Sequence, residues 1–131
     1  MLVDWTDNFQ RTLDRLEALK AQGDPDATET VNLLDWQLEQ LENLDGEPIE
    51  ETPTFKEVRQ RKKYPIWRVS HPYIKGKAIR TIVWFPDSQH AVIALFTNDK
   101  APMGDVFYDS VGSRADAEID AFIREHMGEP R

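Results

Sequence analysis

Apolar residues recur at helical spacing twice in the first third of the chain. Phe9, Leu13, Leu16 and Leu19 form one stripe, and Val31, Leu34, Leu38 and Leu41 form a second. Thr6 stands where an N-cap is needed to accept a bond from the first turn. Gly23 ends the first stripe, Asp24-Pro25 opens the second, and Asp45-Gly46 closes it. The pattern predicts an antiparallel helical hairpin, acidic on its outer side, preceded over residues 1–5 by a short first strand or a mere lead-in. Residues 46–53 (GEPIEETP) read as a connector.

The period then changes. Residues 64–71 (YPIWRVSH) alternate, with Trp67, Val69 and His71 on one face and Ile66, Arg68 and Ser70 on the other. Residues 78–85 (AIRTIVWF) and 91–97 (AVIALFT) are more continuously apolar, as expected of strands covered on both faces. Short connections at 72–77 and 86–89 predict antiparallel hairpins. A last helix is expected from Ser113, with Ala115, Ile119, Phe122 and Ile123 turned inward, ending by Gly128. The expected fold is α+β, one domain over residues 1–131: a small antiparallel β-sheet packed by an N-terminal helical hairpin and a C-terminal helix.

Composition narrows the chemistry. With 131 residues and 40% apolar content the chain can bury a core without staples. It has no cysteine, which removes disulfides, thiolate catalysis and cysteine-ligated metals. No basic segment followed by an apolar run suggests a secretory signal, and no apolar stretch approaches the roughly 18–20 residues that span a bilayer. A cytoplasmic protein without a membrane partner is expected. There is also no phosphate-cradling glycine loop, no nucleophile elbow and no histidine–carboxylate spacing that suggests a metal, so neither cofactor nor metal is expected.

Charge changes the picture most. Residues 56–80 hold nine of the sixteen basic residues and one acid, Glu57, for a net charge of +8. The stretch before carries −11 and the stretch after −5, leaving −8 overall. Such segregation is what a surface facing a polyanion or an acidic partner requires. Solvated strand ends and turns are the plain alternative.

Three segments carry a resemblance. Val3-Asp4-Trp5-Thr6 with Phe9 and Leu13 is similar to the first strand and helix of the RelE/ParE superfamily of toxin–antitoxin toxins, including its phage-related HigB-like branch. Residues 64–69 (YPIWRV) resemble that family's arginine-bearing central strand. Residues 79–85 (IRTIVWF), the apolar strand after them and Asp99-Lys100 resemble its arginine-bearing hairpin and following basic residue. The resemblance spans most of the chain and implies a small toxin neutralised by a cognate antitoxin. RelE-like members cut mRNA in the ribosomal A site, whereas ParE-like members inhibit DNA gyrase, and fold alone does not choose between them or a binding protein without catalysis.

RNA cleavage without a metal requires removal of the 2′-hydroxyl proton, stabilisation of the phosphorane and protonation of the leaving 5′-oxygen. Arg68 and Arg80 are the candidates for gripping phosphate, because guanidinium matches it in two bonds. Their alternative role is pairing with acids of the helical hairpin. Arg59, Arg61, Lys62 and Lys63 suit electrostatic attachment of an RNA backbone. The resemblance adds Lys56 before the central strand, Lys100 as a phosphate contact, and Tyr108 for base stacking or proton transfer, although Asp105 is acidic where the family is often basic. His90 and His71 are candidates for acid–base work, since imidazole titrates near pH ~6.5. His126 fits a helix end instead.

Overall fold

The computed structural model describes residues 1–102 and 106–127. Gly128 and Asp105, both invoked above, lie outside them. β1 (Leu2–Trp5) leads into α1 (Asp7–Ala21) and α2 (Pro25–Glu42). The Thr6 hydroxyl accepts from the Phe9 N–H at 3.1 Å and donates to the Leu95 carbonyl at 2.6 Å, so one cap both starts α1 and fastens it to the sheet. Gly23 takes φ +85° between the helices, and the Asp24 side chain caps α2 by accepting from the Asp26 and Ala27 N–H groups.

Four further strands follow: β2 (Phe55–Glu57), β3 (Trp67–Val69), β4 (Ile79–Asp87) and β5 (Ala91–Asp99). A short α3 (Val106–Asp109) and α4 (Val111–Phe122) succeed them, and α4 continues into a π-helical turn (Ile123–Met127). Sheet order is β1-β5-β4-β3-β2. The sheet is thus five-stranded and mixed, not purely antiparallel as expected, because β1 joins the edge parallel to β5. A four-residue strand carries no register signal in its sequence, and its partner lies some ninety residues away. β2 was not anticipated either. β3 is shorter than residues 64–71, since Pro65 has no N–H to donate and Val58 reaches the Ile66 carbonyl just beyond it.

Helices cover both faces. The hairpin packs Phe9, Leu34 and Leu41 against Trp67, Val83 and Val92. α4 packs Val111, Ala115, Ile119 and Phe122 against Ile82, Trp84 and Leu95 on the other side. This two-sided burial is why β4 and β5 read as continuous apolar runs. A register shift refines it: Ile82 pairs with Phe96 but Val83 with Ala94, so Leu95 has no partner opposite. Val92 and Ala94 face the hairpin, Leu95 and Phe96 both face α4, and Thr97 returns to the hairpin side.

On that side Gln37, 1% exposed, links the layers. Its amide N–H₂ donates to the Val69 and Ile79 carbonyls at 3.3 and 3.0 Å, and its oxygen accepts from the Thr81 hydroxyl at 2.6 Å. Gln37→Leu therefore strips one partner from each of three buried groups. We expect a loss of about 2 kcal/mol, read as a lowered midpoint in urea unfolding. Lys77 is similarly committed: its buried ammonium contacts Asp26 at 2.6 Å, Thr30 at 2.8 Å and Glu29 at 3.4 Å. Among the described residues no helix is long and apolar enough to cross a membrane.

Candidate phosphate-binding face

Strand parity puts Lys56, Arg68 and Arg80 on one face. Lys56 pairs directly with Arg68, Arg68 with Ile82, and Arg80 lies two residues before Ile82. All three therefore project on the α4 side. The shifted register of β5 brings Lys100 to the same side, just past the strand, where its N–H continues the ladder to the Ala78 carbonyl at 2.7 Å. Tyr108 from α3 meets Arg68 and Lys100. Its hydroxyl accepts from Arg68 Nη1 at 2.8 Å, and the Arg68 and Lys100 cations stand 5.8 and 5.2 Å from its ring centre.

Arg68, Arg80 and Lys100 line one open cleft of about 480 Å³, whose floor and rim include Ser70, His71 and Lys77. Arg68 and Tyr108 also wall a second, smaller cleft with Lys56 and Arg59. Among the described residues neither arginine makes an ion pair. The helical hairpin packs on the opposite face of the sheet, and among the described residues its acids Asp26 and Glu29 pair with Lys77 at the cleft's edge and with neither Arg68 nor Arg80. Arg80 Nε is buried and has no hydrogen-bond partner among the described residues. Directly opposed like charges such as Lys56 and Arg68 weaken a sheet, and an unpaired buried donor costs roughly 1–3 kcal/mol. A bound anion would offset the opposed charges of Lys56 and Arg68.

The rest of the basic block divides. Arg59 borders the smaller cleft. Arg61 is exposed and donates its N–H to the Val58 carbonyl. Lys62 lies against α4, with its stem next to Gly112. Lys63 is not a free RNA contact as expected: its ammonium pairs with Asp120 at 3.2 Å and its N–H is accepted by Asp116. Tyr64 donates its hydroxyl to Asp120 at 2.6 Å. That bond first, and Lys63 second, hold the Asp120 carboxyl below the usual carboxylate range, while Lys63 is raised by its own hydrogen bond with Tyr64 first and by Asp120 second. A depressed carboxylate contributes stability above its ordinary range and loses it as pH falls through the lowered value. Asp120→Asn should therefore lower the melting temperature modestly at neutral pH. The difference from wild type should shrink on acidification, and thermal melts across acid pH check this.

Neither histidine joins the site as an acid–base group. His90 sits in the β4–β5 turn and pairs with Asp87 at 2.9 Å, whereas Arg80 and Lys100 lie at the far end of that hairpin. The expectation for His90 is thus corrected: the hairpin's length separates it from the arginines. His71 borders the larger cleft, but its Nε2 accepts from the Ile79 N–H at 2.9 Å. That places its proton on Nδ1, which donates to the Pro72 carbonyl at 2.7 Å. Arg114, not singled out from sequence, lies over the Phe96 ring at 4.2 Å on the cationic side; its place inside a helical stripe gave no signal. Among the described residues no three His, Asp or Glu side chains converge as metal ligands.

Compared with known proteins, the chain matches no family model, no curated protein and no solved structure.

Proposed function

We propose that the protein is a RelE/HigB-like toxin that cuts mRNA, in a ribosome-dependent manner, and is restrained by a cognate antitoxin. The observation that carries this reading is the convergence of Arg68, Arg80 and Lys100 on one open cleft, with the Tyr108 hydroxyl bonded to Arg68 and its ring beside Lys100, and with no acid paired to either arginine among the described residues. The order of strand, helical hairpin, antiparallel strands and helix is also the one the sequence resemblance implies.

On this reading the arginines grip the non-bridging oxygens of the scissile phosphate and stabilise the charge that grows on them during in-line attack by the 2′-oxygen. Lys100 adds a third cation beside the phosphate. Tyr108, whose oxygen is 2.8 Å from Arg68 Nη1, is within reach of the same phosphate and serves proton transfer. The net charge of −8 is compatible with RNA binding, because the hairpin packs on the face opposite to the one that carries Arg68, Arg80 and Lys100.

Mapping RNA ends after induced expression tests the reading. Cuts inside translated codons are expected. Intact mRNA accompanied by a DNA-damage response would assign the fold to gyrase inhibition instead. In vitro, three phosphate-facing cations should give single-stranded RNA affinity a log–log salt slope of roughly −2.

A further inference from the structure

Beside the phosphate cleft lies the smaller one, a cavity of about 250 Å³ lined by Glu51, Lys56, Arg59, Gln60, Arg68 and Tyr108 among others. It falls just below the roughly 300–1,000 Å³ of drug-sized ligand sites and suits one planar ring system. Arg68 lines both clefts, and Tyr108, bonded to it, lines the smaller. A nucleotide whose phosphate meets Arg68 therefore has its base directed into this cavity. The Arg68 guanidinium supplies a flat surface of the kind on which unstacked RNA bases rest.

Besides closing the edge of β2, a carboxylate here repels the phosphate backbone that the neighbouring cations attract, and so disfavours a phosphate in this cavity. Glu51 is held in place: its Oε1 accepts from the Glu57 N–H at 3.2 Å, on the outer edge of β2. A carboxylate offers acceptors alone, so its partner must present donors. Guanine has two adjacent N–H groups, N1 and N2, on its Watson–Crick edge. Adenine and cytosine set an amino group beside a ring acceptor, and uracil flanks its single N–H with two carbonyls. Arg59 on the same cavity can serve the O6 and N7 acceptors of guanine.

We infer that this cavity is a guanine-reading subsite that selects the nucleotide adjoining the scissile phosphate, with Glu51 and Arg59 as its specificity residues. The inference rests on the RNA-cleaving reading above. It can be tested with the full chain and the four nucleoside 5′-monophosphates, followed by calorimetric titration. GMP should bind at least about tenfold more tightly than AMP, CMP or UMP. Glu51→Gln keeps an oxygen for the Glu57 N–H but turns a donor toward the base. It should bring GMP to within about twofold of the others, with thermal melting confirming that the variant is folded. A guanine preference that survives Glu51→Gln overturns the assignment. Equal binding of all four nucleotides, abolished by Arg68→Ala plus Arg80→Ala, overturns the base pocket and leaves the phosphate site standing. If no nucleotide binds at all, the RNA reading falls as well.

Discussion

Replacing Arg68 and Arg80 together by alanine is expected to abolish growth arrest on induction while leaving the melting temperature close to that of the wild type. Removing one preorganised donor to a developing oxyanion typically costs 10²–10³-fold in rate, so the pair should cost roughly 10³-fold or more. The effect on stability should be slight. Neither arginine is in an ion pair among the described residues, and the strand-to-strand opposition of Lys56 and Arg68 is relieved. What is lost is the Arg68–Tyr108 bond, a net contribution of about 1 kcal/mol. Arg80→Lys should not restore activity, because a point-like ammonium lacks the planar fork. A double variant as toxic as the wild type, measured by growth after induction, would place the active site elsewhere.

Gly112→Ala should be the most damaging single-methyl addition. A Cβ at this position would overlap the Gln60 carbonyl oxygen and stand 3.0 Å from Lys62 Cγ. The nearer atom is backbone, so the residue 59–62 loop must leave α4 to make room. Overpacking of this kind costs about 1–3 kcal/mol, which for a domain of this size lowers the melting temperature by roughly 10 °C at the upper end. Since Arg59 and Gln60 border the smaller cleft, the same change should also open that cleft. Calorimetry reads the first effect, and amide shifts of residues 58–63 read the second. A variant that melts like the wild type with an unmoved loop would show that the helix–loop contact is looser than its geometry.

The two helices were legible because their signals are local: an apolar stripe, a Thr6 or Asp24 cap, and Gly23 between them. The apolar runs of β4 and β5 were legible for a similar reason, since burial on both faces leaves its mark on every residue. β2 escaped notice because three residues beginning with Phe55 carry no period. Its edge is guarded locally by Thr52 and Glu51, which take up the outward backbone groups of Phe55 and Glu57.

For the site, residue type was readable and placement only partly so. Arg68 and Arg80 stood out as charges inside strands. Sequence spacing gave no means of separating Lys63, absorbed by Asp120, from Arg59, which faces a cleft. Nor could it set His90 apart, because the distance along a folded hairpin depends on pairing.

The sequence by itself determined the main helices and the longer strands, the segregation of charge and the two arginines, since these follow from local periodicity and residue chemistry. Tertiary structure alone decided that the acidic hairpin and the cationic cleft lie on opposite faces. It also decided that Lys100 joins Arg68 and Arg80, through the one-residue register shift at Leu95. Side chains alternate along a strand, so one unpaired residue moves everything after it to the other face. A shift of that kind is set by packing against both helical layers, and no window of sequence contains it.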